Sequence, residues 1–315
     1  MPLAPGTRLG AGVIYPPKKA GEMRRPRRTE RGRAKGRPPA LVAALALAPL
    51  LAPAPGGAAE TRPRPGVIAH RGVASEAPEN TLPAIARAIE LGCAMAEIDL
   101  RYTADGEVVL IHDATVDRTT DGTGRVADKT LPELRKLDAG ARSGAGLRGT
   151  RIPTLREAVE MARGRIELYL DLKETDPRPV VRVVEQLGAR SMVFYRPYTY
   201  VALQQILAET PQARVLIDLG DWVQAGGLVE ALRREVPTGA LSSDWPNWTP
   251  RAVAEARRLR MTTFVNVLGP SDTPDNLGQA VTLGFHYIQT DHPRQLLEIL
   301  RERGARAARD ARIAP

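Results

Sequence analysis

The chain has a single cysteine, Cys93, among 315 residues. No intramolecular disulfide can form, so the fold must hold by packing alone. Cys93 lies in Gly92-Cys93-Ala94-Met95, between a helical pattern and a strand pattern, and reads as a small buried thiol. Histidine is also scarce, with four in the whole chain. Net charge is absent from most of the molecule. The formal +9 looks like a nucleic-acid footprint, but eleven of the 45 Lys/Arg and only two of the 36 Asp/Glu (Glu22 and Glu30) lie in residues 1–59. Residues 60–315 therefore carry 34 of each sign. A balanced body has no global drive towards polyanions, which argues against a nucleic-acid partner. Internal repeats are absent as well.

The basicity belongs to a leader. Residues 18–37 are dense in Lys and Arg, 41–52 (LVAALALAPLLA) are apolar, and small residues follow as far as Ala59. That order is the layout of a signal peptide. The apolar run is too short for a permanent bilayer span. No cysteine follows it, so a lipid anchor is not expected either. The reading is a leader over 1–59 and one domain over 60–315, exported to a periplasmic or external space with no stable membrane anchor once the leader is removed. The competing reading of the leader is a disordered basic tail.

From Pro65 the pattern changes to short apolar strands alternating with amphipathic helices. Strands are expected at 67–70, 94–100, 107–111, 166–172, 191–195, 213–219, 239–243, 262–267 and 285–290. Helices are expected at 82–91, 154–163, 178–187, 200–208, 249–259 and 293–303. Such alternation predicts a parallel sheet covered by helices, and the length suits a TIM-type (β/α)8 barrel. Nine candidates exceed the eight that a barrel needs. The short 239–243 segment, ending in Ser-Ser-Asp-Trp, is taken as the surplus piece. A polar stretch over 113–153, after the third strand, is read as a functional excursion across one rim.

Charged residues interrupt strands that should be apolar. Glu97 and Asp99 are two apart and share one strand face. Asp171 and Lys173 share another. Adjacent carboxylates repel each other and are costly to desolvate, and a cation among them relieves both costs. Their hard oxygens suit Mg²⁺ or Ca²⁺ better than zinc. Structural salt bridges, Asp171 with Lys173 and Glu97 with an arginine, are the alternative. The first strand runs into His70-Arg71-Gly72 and the third into His112-Asp113. Two histidines at strand ends beside carboxylates read as proton donor and acceptor. The planar fork of Arg71 matches phosphate. Asn80 or Thr81 is expected to cap helix 82–91, with a supporting role for Glu79 or Asn80 at the site as the minor reading. His286 is assigned to a satisfied core position. His292, Trp222, Trp245 and Trp248 are left to packing or wall positions.

Several of these segments together resemble the glycerophosphodiester phosphodiesterase family. They are H-R-G at 70–72, P-E-N-T at 78–81, E-I-D at 97–99, D-G-E-V-V-L-I-H-D at 105–113, D-R-T-T-D-G-T-G at 117–124, I-P-T-L at 152–155 and D-L-K at 171–173. The resemblance implies a TIM-like barrel, a divalent cation and a small glycerophosphodiester substrate hydrolysed to glycerol phosphate and an alcohol. It assigns the acid–base pair to His70 and His112, metal ligation to Glu97, Asp99 and Asp171, and phosphate contacts to Arg71 and Lys173. It leaves open which histidine is the acid. The chain departs from the family pattern in four places. Asp171 stands where Glu is frequent, and Thr263-Phe264-Val265-Asn266 replaces W-T-V-N. Gln289-Thr290-Asp291-His292-Pro293 replaces I-T-D-Y-P, and the segment Phe194-Tyr195-Arg196-Pro197 stands where a small polar residue is commoner. The Asp171 change is expected to let the metal sit slightly deeper or take an extra water, and the other three are expected in the side walls, away from the metal centre. Rival readings are a lipid-cleaving phospholipase on the same barrel and an exported phosphodiester-binding protein without catalysis. The polar 113–153 excursion and the complete set of histidines and carboxylates count against them.

The leader reading makes one checkable statement. Protein recovered from its native host should begin near Glu60 and be nearly neutral in net charge. Mass spectrometry finding residues 1–50 retained in a cytoplasmic fraction would overturn it.

Overall fold

The computed structural model describes residues 64–143, 147–220 and 239–313, with side chains to 306. The leader, Gly144–Gly146 and Trp222 lie outside the described residues. All nine expected strands form: β1 (Gly66–Ala69), β2 (Met95–Tyr102), β3 (Val108–Leu110), β4 (Glu167–Leu172), β5 (Val193–Arg196), β6 (Leu216–Asp218), β7 (Ala240–Asp244), β8 (Thr262–Val267) and β9 (Tyr287–Thr290). Eight are parallel neighbours in the order β5-β4-β2-β1-β9-β8-β7-β6. A bridge between Tyr195 and Val215 joins the two ends of that order, so the sheet is a nearly closed barrel.

The surplus strand is β3, not the 239–243 segment. β7 pairs with both β6 and β8 and is a full barrel stave. β3 lies antiparallel on the far end of β2, with Leu110 opposite Leu100. The reason is chain length. Only residues 103–107 separate β2 from β3, and a parallel crossover needs about a dozen residues. The connection closes as a tight turn at Asp105-Gly106, with Gly106 at φ +82 and Thr103 N–H donating to the Glu107 carbonyl at 3.0 Å.

The helices are α1 (Leu82–Leu91), α2 (Leu131–Leu134), α3 (Leu155–Ala162), α4 (Arg178–Gln186), α5 (Tyr200–Glu209), α6 (Pro250–Arg258), α7 (Pro274–Leu283) and α8 (Pro293–Ile313). Threonine N-caps with side-chain bonds start α1, α3, α5, α6 and α7. The sequence pattern did not predict α7. Its Thr273-Pro274 start and its Gly284 stop at φ +81 are nonetheless ordinary helix signals. The excursion after β3 has a small core of its own, built from Val109, Ile111, Val116, Val126, Leu134, Ala139 and Ile152.

The barrel interior follows a simple rule. One residue from each of the eight staves, Ile68, Met95, Tyr169, Phe194, Leu216, Ala240, Phe264 and Tyr287, packs into an apolar plug. Side chains two apart share a strand face, so the next inward positions are His70, Glu97, Asp171, Arg196, Asp218, Ser242, Asn266 and Gln289. The interior thus turns from apolar to polar within one strand repeat, towards the carboxyl ends of the strands. Arg214 sits over the Phe194 ring at 3.8 Å and forks onto Glu167 at 2.9 Å for each bond.

Phe264 anchors the plug. It stacks on Tyr287 at 4.6 Å and meets Phe194 edge-on at 5.1 Å. Phe264→Ala should cost about 3–5 kcal/mol of stability, read as a lowered urea midpoint at unchanged slope. A loss below about 1 kcal/mol would mean the plug is not close-packed.

Candidate active site

The carboxyl ends of β1, β2 and β4 carry the site. The turn after β1 is strained where it matters. Arg71 and Gly72 both have positive φ, +54 and +74. A Cβ at Gly72 would lie 2.6 Å from Ala84 Cβ and 2.7 Å from its carbonyl carbon, so only glycine fits. The left-handed turn aims the Arg71 amide at Glu97, donating to Oε2 at 2.8 Å. The Arg71 guanidinium reaches Glu79 at 2.9 Å and Asp99 at 3.4 Å.

Glu97, Asp99 and Asp171 each offer a ligand oxygen, and these oxygens lie within 4.8 Å of one another. All three side chains are buried. Asp99 and Asp171 are register partners on β2 and β4, so they stand side by side. Burial and the charges of Asp99 and Asp171 push Glu97 up to about 8. Asp171 behaves oppositely. Burial would raise it, but Arg196 and Lys173 outweigh burial and hold it well below the usual carboxylate range. The donor set is all hard oxygen, and its most crowded member is short of positive charge. Both features fit a hard divalent cation.

Lys173 does not hang free in the cleft. Its ammonium lies 2.9 Å from Asp99 and 2.6 Å from Asp171, with the Tyr198 hydroxyl at 3.1 Å. The Asp171–Lys173 ion pair weighed from the sequence is therefore present. The Glu97 partner is a backbone amide rather than a guanidinium. Tyr198 donates to Asp171 Oδ2 at 3.0 Å.

Arg196 overturns one expectation. Its position was expected in a side wall, away from the carboxylates. Instead its buried guanidinium donates to Asp171 Oδ1 at 3.0 Å and also bonds Asp218. Strand register decides this, because Asp171 and Arg196 are partners on β4 and β5. The proximity cannot be seen in the sequence.

Both expected acid–base histidines reach the same rim by different routes. His70 follows β1, and its Nδ1 lies 2.6 Å from Asp291 Oδ1 at the end of β9. Its Nε2 is 3.9 Å from Glu97. Burial alone would lower the His70 imidazole, but the bond to Asp291 and the charge of Glu97 outweigh it and the group is raised. Asp291 is fixed in turn by the Gly269 amide at 2.8 Å. His112 does not end a barrel stave, contrary to expectation. The antiparallel β3 carries it back to β2, where Ile111 N–H donates to the Asp99 carbonyl at 3.0 Å. His112 Nδ1 lies 2.7 Å from Asp113 Oδ1. Burial, Lys173 and Arg71 prevail over Asp99 and Asp113, and His112 is lowered.

Sequence reasoning missed Asp291 and Arg118 as supports and gave that role to Asn80 or Glu79 only as its minor reading. Asp291 carried no signal beyond its place in the Gln289–Pro293 segment. Asn80 proves to be more than a capping candidate. Thr81 caps α1, while Asn80, at φ +58, grips Asp99 twice. Its Nδ2 donates to Oδ2 at 2.7 Å, and its Oδ1 accepts from the Asp99 amide at 2.9 Å. Arg118 ties the excursion to the site through Asp113 at 2.6 Å and Glu79 at 2.7 Å. His286 is a satisfied structural residue, its Nδ1 accepting from the Thr263 amide at 3.1 Å. Trp248 packs edge-on against Phe285 and its indole N–H donates to the Ser243 carbonyl.

Residues 70–263 match the profile of the glycerophosphoryl diester phosphodiesterase family. A glycerophosphodiester phosphodiesterase of Caldanaerobacter subterraneus subsp. tengcongensis is 32% identical over 253 residues, 76% of this chain and 98% of the relative. Glycerophosphodiester phosphodiesterase 1 of Bos taurus is 50% identical over 115 residues, 36% of this chain and 35% of the relative. Among solved structures, a glycerophosphodiester phosphodiesterase from Agrobacterium tumefaciens superposes with TM-score 0.66 at 30% identity, covering 74% of this chain and 98% of that one. A phosphodiesterase of Oleispira antarctica, solved with the product sn-glycerol-3-phosphate, superposes with TM-score 0.68 at 26% identity, covering 76% and 97%. On the strength of a match over residues 70–263 and of a relative 32% identical and covered over 98% of its length, the chain belongs to the glycerophosphoryl diester phosphodiesterase family.

Proposed function

We propose that this chain hydrolyses glycerophosphodiesters to glycerol phosphate and an alcohol, with His70 and His112 as the acid–base pair. One observation carries the reading: two histidines, each with Nδ1 held by an aspartate, stand on one rim beside three buried carboxylates. An imidazole that donates Nδ1–H to a carboxylate presents Nε2 to the cleft. His70 and His112 are both oriented this way. One takes the proton from the attacking oxygen and the other gives a proton to the departing alkoxide. Arg71 and Lys173, which stand beside the carboxylates, are assigned to the phosphoryl oxygens, because their charges match the negative charge that builds up there.

Glu97, Asp99 and Asp171 would hold a hard divalent cation, Mg²⁺ or Ca²⁺. Bound there, it would polarise the phosphoryl group. The domain over 60–315 is proposed to act after export, on a small soluble substrate.

His70→Ala and His112→Ala should each lower kcat by about 10²–10⁴-fold while the circular dichroism spectrum stays native. The losses should be non-additive in the double variant. A nitrophenyl ester, which needs little protonation on leaving, should rescue only the variant lacking the acid. Near-normal glycerophosphocholine hydrolysis by both variants would make these histidines structural.

The cation gives a prediction that does not depend on turnover. Glu97 is raised from its ordinary 4.5 up to about 8. Between those values the folded, cation-free protein binds more protons than the unfolded chain, so this group's contribution to stability falls as pH rises. A cation requires ionised Glu97 and should cancel that loss. The rise in melting temperature caused by Mg²⁺ or Ca²⁺ over EDTA should therefore grow from about pH 5 to about pH 8. Glu97→Gln should flatten the trend, and chelation should abolish activity. A cation effect of equal size at every pH, or full activity in excess EDTA, would discard the carboxylate site.

A further inference from the structure

The polar part of the barrel interior is divided in two. On β2, β4, β5 and β6 stand Glu97, Asp171, Arg196 and Asp218, all buried and charged. The cations on that side are engaged, Arg196 by Asp171 and Asp218, and Lys173 by Asp99 and Asp171. On β7, β8 and β9 stand Ser242, Asn266 and Gln289, buried and uncharged. Ser242 Oγ lies 3.4 Å from Asn266 Oδ1, and Asn266 Nδ2 donates to Asp244 at 3.1 Å.

Gln289 is different. It is 4% exposed and faces inward with Tyr287, two residues earlier on β9. Its register partners are Ile68 on β1 and Asn266 on β8, so it sits one inward step below His70. Among the described residues its side-chain amide makes no hydrogen bond. Neither atom of the amide is sealed from solvent, so the group opens on the cleft and can take a ligand there.

We propose that Gln289 is a specificity-determining residue whose amide binds the vicinal hydroxyls of the substrate's glycerol. A primary amide offers one acceptor and two donors on a plane, and a vicinal diol offers the reciprocal set. At this level the arc is uncharged, and the one carboxylate above it, Asp244 at the end of β7, is engaged by the Asn266 amide. An uncharged polyol is the part of a phosphodiester that suits it. With the phosphoryl group on the charged arc, the glycerol lies across the interior towards β9, beside His70. This assignment rests on the phosphodiesterase reading of the rim and extends it to the group that the site selects.

The test compares wild type with Gln289→Leu, and with Gln289→Met should the leucine form fold poorly. Relative to bis(4-nitrophenyl) phosphate, kcat/KM for glycerophosphocholine should fall about tenfold, the worth of one neutral hydrogen bond. The fall should appear mainly in KM. Calorimetric affinity for sn-glycerol-3-phosphate should drop by a similar factor relative to inorganic phosphate. The melting temperature of the ligand-free variant should hold or rise, because among the described residues no protein hydrogen bond depends on the amide. An unchanged substrate ratio, a loss confined to glycerophosphoinositol, or equal losses on both substrates with a lowered melting temperature would overturn the assignment. Those outcomes leave the phosphodiesterase reading intact. Failure of the wild-type protein to cleave any glycerophosphodiester would strike that reading itself.

Discussion

The constraint on which the site depends is the crowding of like charge inside the barrel. Glu97, Asp99, Asp171 and Asp218 are all buried at the carboxyl ends of neighbouring strands. Left alone, such a group would be neutralised by proton uptake rather than stay ionised. The chain answers with cations on the same or adjacent staves. Lys173 spans Asp99 and Asp171, Arg196 spans Asp171 and Asp218, and Arg71 reaches Asp99. Glu97 receives little help: a backbone amide, a distant imidazole and the more remote charge of Lys173. Glu97 is therefore the carboxylate that most readily takes up a proton, and an added cation would gain most by replacing that proton.

A second consequence is rigidity. Each group that faces the cleft is held from behind. Asp291 fixes His70, Asp113 fixes His112, and Asn80 fixes Asp99 through two bonds. Arg118 joins Glu79 to Asp113, so the excursion over 113–153 is tied to the turn that carries Arg71. Exposed ion pairs contribute little to global stability. Here Arg118 sets position, keeping a segment with its own small core in register with the rim.

Much of this was legible in one dimension. Strand–helix alternation gave the barrel, because a period-two apolar run and a 3.6-period helix can be told apart from sequence alone. The site residues were legible for a related reason. A carboxylate in an apolar strand or a histidine at a strand end is costly unless it is used, so Glu97, Asp99, Asp171, His70 and His112 stood out. The Asp105-Gly106 turn and its short connection also marked β3 as a hairpin partner. Choosing 239–243 as the surplus piece overlooked that length rule.

Other features belong to the tertiary structure alone. Arg196 meets Asp171, and Gln289 meets the His70 side of the interior, because of strand register. No local signal encodes register between strands some 20 or 200 residues apart. Asp291 lies 221 residues from the histidine it supports, and barrel closure alone makes β9 the neighbour of β1. The sequence by itself determined which residues stand out as candidates for the chemistry, since their identity violates local packing rules. Only the closed barrel decided which of them touch, because closure converts sequence separation into a circular order of staves.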